Sequence, residues 1–220
     1  KATDLAQDSD GKINGIKAVN VVTGDEYAFD CKAVVMSCGG FGANVEMRAK
    51  ANPEFGEQFN STDSVGAQGD GLTMASAIGA DLVDMELIQT YPICDVDTGA
   101  LLYLDDMRLD ERTVMFNKEG KRFVEELQRR DVISHAILNQ PGSYCYVLWN
   151  DNIGKISNTV KAHPEEYETF TKQGVMHTAD NLKEVADFFK IPYDNLKATV
   201  DRVSQMAKDG GKDLDFHNRG

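Results

Sequence analysis

The sequence predicts an α+β chain. Three observations carry that prediction: a strand-and-turn pattern near the start, a second hairpin pattern around Thr113–Val124, and capped helical patterns that close the chain. The chain has 220 residues, enough for one large domain or two small ones with a real core. Apolar residues make up 41% and charged residues 27%, as in an ordinary globular protein. The formal charge of −13 argues against nucleic acid or anionic lipid as the main partner, because both need a basic surface. It leaves room for a small anionic ligand, since a few arginines can dominate one cleft.

The cysteines, Cys31, Cys38, Cys94 and Cys145, show no C-x-x-C spacing, so zinc, c-type haem and thioredoxin-like chemistry lack support. No run approaches the ~20 apolar residues of a membrane-spanning helix. The chain opens on Lys1 rather than methionine, so the lack of a leader pattern carries no information.

Lys12 to Val22 reads as a strand with Ile13, Ile16, Val19 and Val21, Thr23-Gly24-Asp25 as a turn, and Glu26 to Phe29 as the return. Ala33 to Met36 suits a buried strand ending in Ser37-Cys38-Gly39-Gly40-Phe41, where glycines let a backbone pass close to something else. Asn44 to Ala51 is a short helix closed by Asn52-Pro53, and Glu54 to Gln68 is a polar loop. Gly69-Asp70-Gly71 opens a helix to about Gly79, with Leu72, Ala75 and Ile78 on one face and Asp70 as its N-cap. Asp81 to Gln89 is a strand candidate leading to Thr90-Tyr91-Pro92.

Thr113 to Asn117 reads as a strand, Lys118-Glu119-Gly120 as a turn, and Lys121 to Val124 as the return. Asp131 is placed to cap a helix over Val132 to Asn139, so Arg130 sits just before a helix start, where anions are attracted. By residue type alone, Arg129 and Arg130 read as surface charges. Tyr144 to Asn150 is an apolar strand holding the one tryptophan, Trp149. Thr178-Ala179-Asp180-Asn181-Leu182 starts a helix with a cap and with Glu184 in its first turn, and the last helix runs from Asn195 to Lys208 with Leu196, Val200 and Val203 spaced for burial. His163 and His177 are isolated and read as surface or packing residues.

Taken together, these motifs resemble the fumarate-reductase-type flavoproteins. The hairpin followed by an apolar strand and Gly-Gly-Phe-Gly is similar to the end of that family's FAD-binding domain, where Ala-Thr-Gly-Gly-Phe is usual. Gly-Asp-Gly before a helix is a second shared feature. The most specific is Asn-x-Glu-Gly-Lys-Arg-Phe-Val-x-Glu followed by x-x-Arg-Asp, present here from Asn117 to Asp131. Gly-Lys-Asp-x-Asp-Phe near the end matches as well.

The resemblance implies an FAD-dependent reductase that adds hydride and a proton across the C=C bond of an unsaturated carboxylate. It implies that Ser37, Gly39, Gly40, Gly69 and Asp70 lie at the cofactor and that Gln89 and Tyr91 lie at the substrate. Arg130 is then the proton donor, resupplied through Asp105 and Arg108; Asp106 serves equally as the relay acid. A guanidinium holds its proton to a pKa above about 12, so the scheme needs a strongly basic developing carbanion and immediate proton return. Fumarate reducers carry histidine where Tyr91 stands and glutamate where Asp105 stands. Both differences lean toward the urocanate-reducing branch.

The resemblance covers the middle of the family's flavoprotein. No Gly-x-Gly-x-x-Gly phosphate clamp is present. The chain therefore reads as a fragment, with residues 1–43 the tail of an FAD-binding segment and residues 44–220 a capping domain that includes the Gly-Asp-Gly loop. FAD is expected in the full-length protein and not in the isolated fragment, which is expected to have no turnover. The expected partners are a small unsaturated carboxylate and an electron-donor domain or protein, and the resemblance favours a periplasmic or cell-surface location. Two alternatives stay open: a 3-ketosteroid-dehydrogenase-like enzyme, which uses tyrosines where this chain has Arg130-Asp131, and a non-catalytic interaction domain.

Overall fold

The structure, a computed structural model, describes residues 1–101, 113–150 and 159–216. It divides into two compact units, Lys1–Ile88 and Gln89–Gly220. Helices and antiparallel sheets occur in both, in line with the mixed architecture expected.

In the first unit, strands β1 (Ala2–Gln7), β2 (Ile13–Val19) and β3 (Glu26–Asp30) form an antiparallel meander in that order. Ile16 lies opposite both Leu5 and Phe29. The polar β1 segment gives no strand signal by itself; it becomes a strand because β2 supplies its ladder partners. Helix α1 (Val45–Ala51) is capped by Asn44, whose side chain accepts from the Met47 amide at 2.9 Å. A turn of 3₁₀-helix follows at Pro53–Phe55. Helix α2 (Asp70–Ala77) packs against β1 with Gly71 and Met74 buried.

Two expected strands in this unit are absent. Residues 33–36 form no ladder, and Val35 stands 87% exposed. Asp81 to Gln89 is irregular and turns at Asp84–Glu86. An apolar run becomes a strand only where a neighbour takes its backbone groups, and among the described residues none pairs with either run.

In the second unit, β4 (Val114–Phe116) pairs antiparallel with β5 (Tyr146–Leu148). The expected return strand at Lys121–Val124 shrinks to one bridge, Phe116 to Arg122, and the Met115 amide donates to the Glu126 carboxylate instead of to a ladder partner there. Helix α3 (Arg130–Leu138) follows, then α4 (Thr159–Ala162), α5 (Pro164–Gln173), α6 (Leu182–Phe189) and α7 (Tyr193–Lys208).

Alternation along β4 explains why every residue in it is apolar. Met115 faces a cluster with Ile93, Val124, Ile133 and Ile137. Val114 and Phe116 face a second cluster with Ala186, Ile191 and Leu196 from the α6–α7 region. The strand is covered on both sides, so no position is left for a polar residue. Asn181 caps α6 by accepting from the Glu184 amide at 3.1 Å, and the Glu184 carboxylate accepts in return from the Asp180 amide at 3.3 Å. His177 stacks flat on Phe188 at 3.8 Å, a packing role as expected. Among the described residues, no helix is long and apolar enough to cross a membrane.

Candidate functional site

The candidate residues of the first unit meet through backbone. The Gly69 amide donates to the Gly40 carbonyl at 3.0 Å, bringing the Gly-Asp-Gly loop onto the Gly39-Gly40 turn. Gly69 is left-handed, with φ of 77°, and is itself the N-cap of α2. A Cβ there would lie 2.6 Å from Met47 Sδ and 3.0 Å from Phe41 Cβ. A Cβ on Gly71 would run into Cys38 Sγ. Gly69 is held to glycine by its left-handed conformation and the nearby Phe41 Cβ, whereas a Cβ on Gly71 would have to push the Cys38 side chain aside.

Asp70 is not the cap expected of it. It is the first helical residue, and its carboxylate pairs at the surface with Lys1 at 3.0 Å. Ser37, Gly39 and Gly40 are exposed, and a Cβ on Gly39 or Gly40 would meet nothing within 4 Å. These residues fit FAD. The open glycine surface admits a flat ring, and Asp70 in the first helical turn suits a hydroxyl or N–H donor better than a phosphate, since it carries negative charge where an anion would sit.

In the second unit, Arg130 is the first residue of α3, and Arg129 occupies the N-cap position. The cap expected of Asp131 therefore does not form. Asp131 lies inside the first turn and is gripped by Arg129, whose Nη2 donates at 2.7 Å and Nε at 3.2 Å. That grip holds the Asp131 carboxyl below its usual range. The two neighbouring arginines are thereby separated in role. Arg129 is spent on Asp131, while Arg130 has no carboxylate partner among the described residues and lies with its Cζ 5.0 Å from the Tyr91 ring centroid. Such a cation–π contact steers the guanidinium without neutralising it.

Tyr91 is half-buried against the Met115–Ile133 cluster, and Gln89 is exposed. Asp105, Asp106 and Arg108 lie outside the described residues.

The segment that leads into Arg130 carries a network whose members fall in two of the sequence motifs, Arg122 and Glu126 in the first and Asp213, Asp215 and Phe216 in the second. Glu126 is fully buried. Its Oε1 accepts from the Met115 amide at 3.0 Å and from Arg122 Nε at 2.9 Å, and its Oε2 accepts from Arg122 Nη2 at 2.6 Å. Arg122 also donates to Asp213 at 2.7 Å. Burial disfavours the charged form of both residues, yet hydrogen bonds outweigh it, from Glu126 first and Asp213 second at Arg122, and from Arg122 first at Asp213. With help from Glu126, Arg122 is pushed above the usual guanidinium range; with help from the Phe216 and Asp215 amides, Asp213 is held below the usual carboxylate range.

Burial, with a smaller contribution from Cys94, pushes the Cys145 thiol up to about 12; burial, then the Asp95 charge, raises the Cys94 thiol, and both shifts disfavour a thiolate near neutral pH. Among the described residues, no group of His, Cys, Asp and Glu is arranged to hold a metal.

Comparison with known proteins follows the same lines. A family model described as "FAD binding domain" matches residues 1–219. The chain belongs to this family. It is 46% identical over 219 residues to a urocanate reductase of Eggerthella lenta, covering 100% of this chain and 36% of that protein. It is 33% identical over 216 residues to a cytochrome-type fumarate reductase of Shewanella frigidimarina, covering 98% of this chain and 36% of that protein. In structure it is similar to an open flavocytochrome c3 fumarate reductase, with a TM-score of 0.75 at 29% identity, covering 99% of this chain and 36% of that one. The chain spans about a third of the length of these relatives. FAD is the family's cofactor, and the glycine-built surface of the first unit is compatible with it.

Proposed function

We propose that the protein containing this chain is an FAD-dependent reductase of unsaturated carboxylates, with Arg130 as the proton donor. The observation that carries this reading is the isolation of Arg130, a helix-leading guanidinium lying on the Tyr91 ring without a carboxylate partner among the described residues. A cation in that state can hold a substrate carboxylate and stabilise negative charge developing on carbon. When bound and reduced, FAD supplies the hydride to one carbon of the C=C bond. Arg130 delivers a proton to the neighbouring carbon, and Asp105 (or Asp106) with Arg108 returns a proton to Arg130. Ser37, Gly39, Gly40, Gly69 and Asp70 hold the cofactor. Gln89 and Tyr91 face the substrate. Residues 1–43 complete an FAD-binding segment and residues 44–220 form the capping domain.

Tyr91 supports an aromatic acid such as urocanate over fumarate. A phenol donates a hydrogen bond but offers no cation near neutral pH, which suits a monoanion better than a dianion. The urocanate reductase among the relatives is consistent with this. The test is a panel of urocanate, fumarate and acrylate offered to the full-length protein with a chemically reduced dye as electron donor. Urocanate is expected to turn over fastest; reduction of none of the three would refute the reading.

A further inference from the structure

Arg130 is exposed and leads α3, so the position of that helix start sets the point from which its guanidinium reaches Tyr91. The backbone enters α3 through the non-helical stretch 125–129. Glu125 turns the stretch locally, its Oε1 accepting from the Leu127 amide at 3.0 Å and its carbonyl from the Gln128 amide at 3.2 Å. Glu126 anchors the stretch to β4 through the Met115 amide and to Arg122 through two hydrogen bonds.

The anchor reaches further. Arg122 Nη2 is shared between Glu126 and Asp213, which lies 91 residues along the chain. Asp213 Oδ1 accepts from the Asp215 and Phe216 amides at 3.0 and 3.1 Å, and the Phe216 ring centroid lies 4.7 Å from Arg122 Cζ. Arg202 on α7 then holds Asp215 at 2.8 Å. The side chains of Arg122, Glu126 and Asp213 are 7%, 0% and 3% exposed. Burying one guanidinium with two carboxylates is a poor way to gain stability, because desolvation offsets attraction. What such an array provides is direction, since a planar fork accepts partners at fixed angles only.

We propose that Arg122, Glu126 and Asp213 are positioning residues that set Arg130 against Tyr91, and that the segment around Asp213 is part of the support of the acid site. This rests on Arg130 being the proton donor. Charge deletion at Asp213 frees one edge of Arg122, loosens Glu126 and lets the α3 lead-in drift. Ångström-scale misplacement of a catalytic group is enough to slow chemistry while leaving binding nearly intact.

The experiment compares Asp213→Asn, Phe216→Leu and Arg130→Ala with wild-type, all as full-length flavoprotein. Turnover per bound flavin is measured with the best acceptor among urocanate, fumarate and acrylate. Reoxidation of reduced flavin by ferricyanide, which needs no proton donor, is the control. Amide hydrogen exchange over residues 126–133 reads the lead-in without reference to activity. Asp213→Asn is expected to lower kcat about tenfold or more with KM within about threefold. Ferricyanide reoxidation is expected to stay at the wild-type rate, and exchange at 127–131 to become faster. Unchanged kcat, or an equal fall in kcat and in ferricyanide reoxidation, would overturn the proposal. Should Asp213→Asn not fold, Phe216→Leu decides on the same terms. Full activity in Arg130→Ala would instead refute the proton-donor reading, and the positioning role with it; loss in Arg130→Ala beside full activity in Asp213→Asn refutes the positioning role alone.

Discussion

Among the described residues, the buried apolar side chains of Lys1–Ile88 are Leu5, Phe55 and Met74, while Val21, Val22, Phe29, Val35 and Val65 stand in solvent. Gln89–Gly220 instead buries two apolar clusters and places an ionic network beside them. The candidate residues follow this contrast. In the first unit they are held by missing atoms, as Gly69 lets two loops touch through backbone and Gly71 leaves room for the Cys38 side chain. In the second, the segment leading into Arg130 is tied by side chains whose polar atoms are matched in a buried array. A site built from absent Cβ atoms should fail when a methyl is added. One built from buried charges should fail when a charge is removed.

The contrast can be broken most directly at Arg130. Arg130→Ala in the full-length protein is expected to lower kcat by about 10⁴-fold, the combined loss of an acid and a charge stabiliser. Steady-state turnover at saturating acceptor measures it, and a variant keeping most of its activity would remove Arg130 from the chemistry.

Glu126→Ala should destabilise the second unit by about 3–5 kcal/mol, because Arg122 loses its bidentate partner in a buried site. A shift of the urea midpoint reads this loss, and no shift would mean that water reaches the array. Gly69→Ala attacks the first unit and is expected to cost about 1–2 kcal/mol for the left-handed backbone alone. Here flavin absorbance per polypeptide should drop along with the melting temperature. A variant that keeps its flavin would show that the loop contact is dispensable.

Tyr91→His tests the substrate side. Introducing a group that can be cationic should raise the fumarate-to-urocanate ratio of kcat/KM by about tenfold. An unmoved ratio would leave the aromatic ring without a role in selection. The smallest effect concerns acid. The Asp213 carboxyl is depressed in the folded state, so its contribution is complete above the unfolded value of about 3.9 and is lost as pH falls through the lower folded value. Acid titration of Asp213→Asn should therefore show a shallower fall in stability below about pH 4 than wild-type.

Legibility followed locality. The helix starts at Asn44 and within Thr178–Leu182 were readable because cap and capped amide lie within three residues, and the structure assigns the second cap to Asn181. Asp70 and Asp131 carried the same signal and gave the wrong cap, because Lys1 and Arg129 engage their carboxylates. The turn at Gly120 was readable. The reason that only glycine serves there was not: a Cβ would lie 2.7 Å from the Leu196 amide nitrogen. Of the site residues, Arg130 and Tyr91 were each visible along the chain, but not that they touch.

The sequence by itself determined the order of turns and most helices and the motif that points to flavin chemistry, because these depend on residues a few positions apart. Tertiary structure alone decided which apolar runs became strands and that Asp213 would share a guanidinium with Glu126. Those outcomes turn on pairing and desolvation between distant segments. A backbone group or a buried charge takes whichever partner the folded chain brings to it.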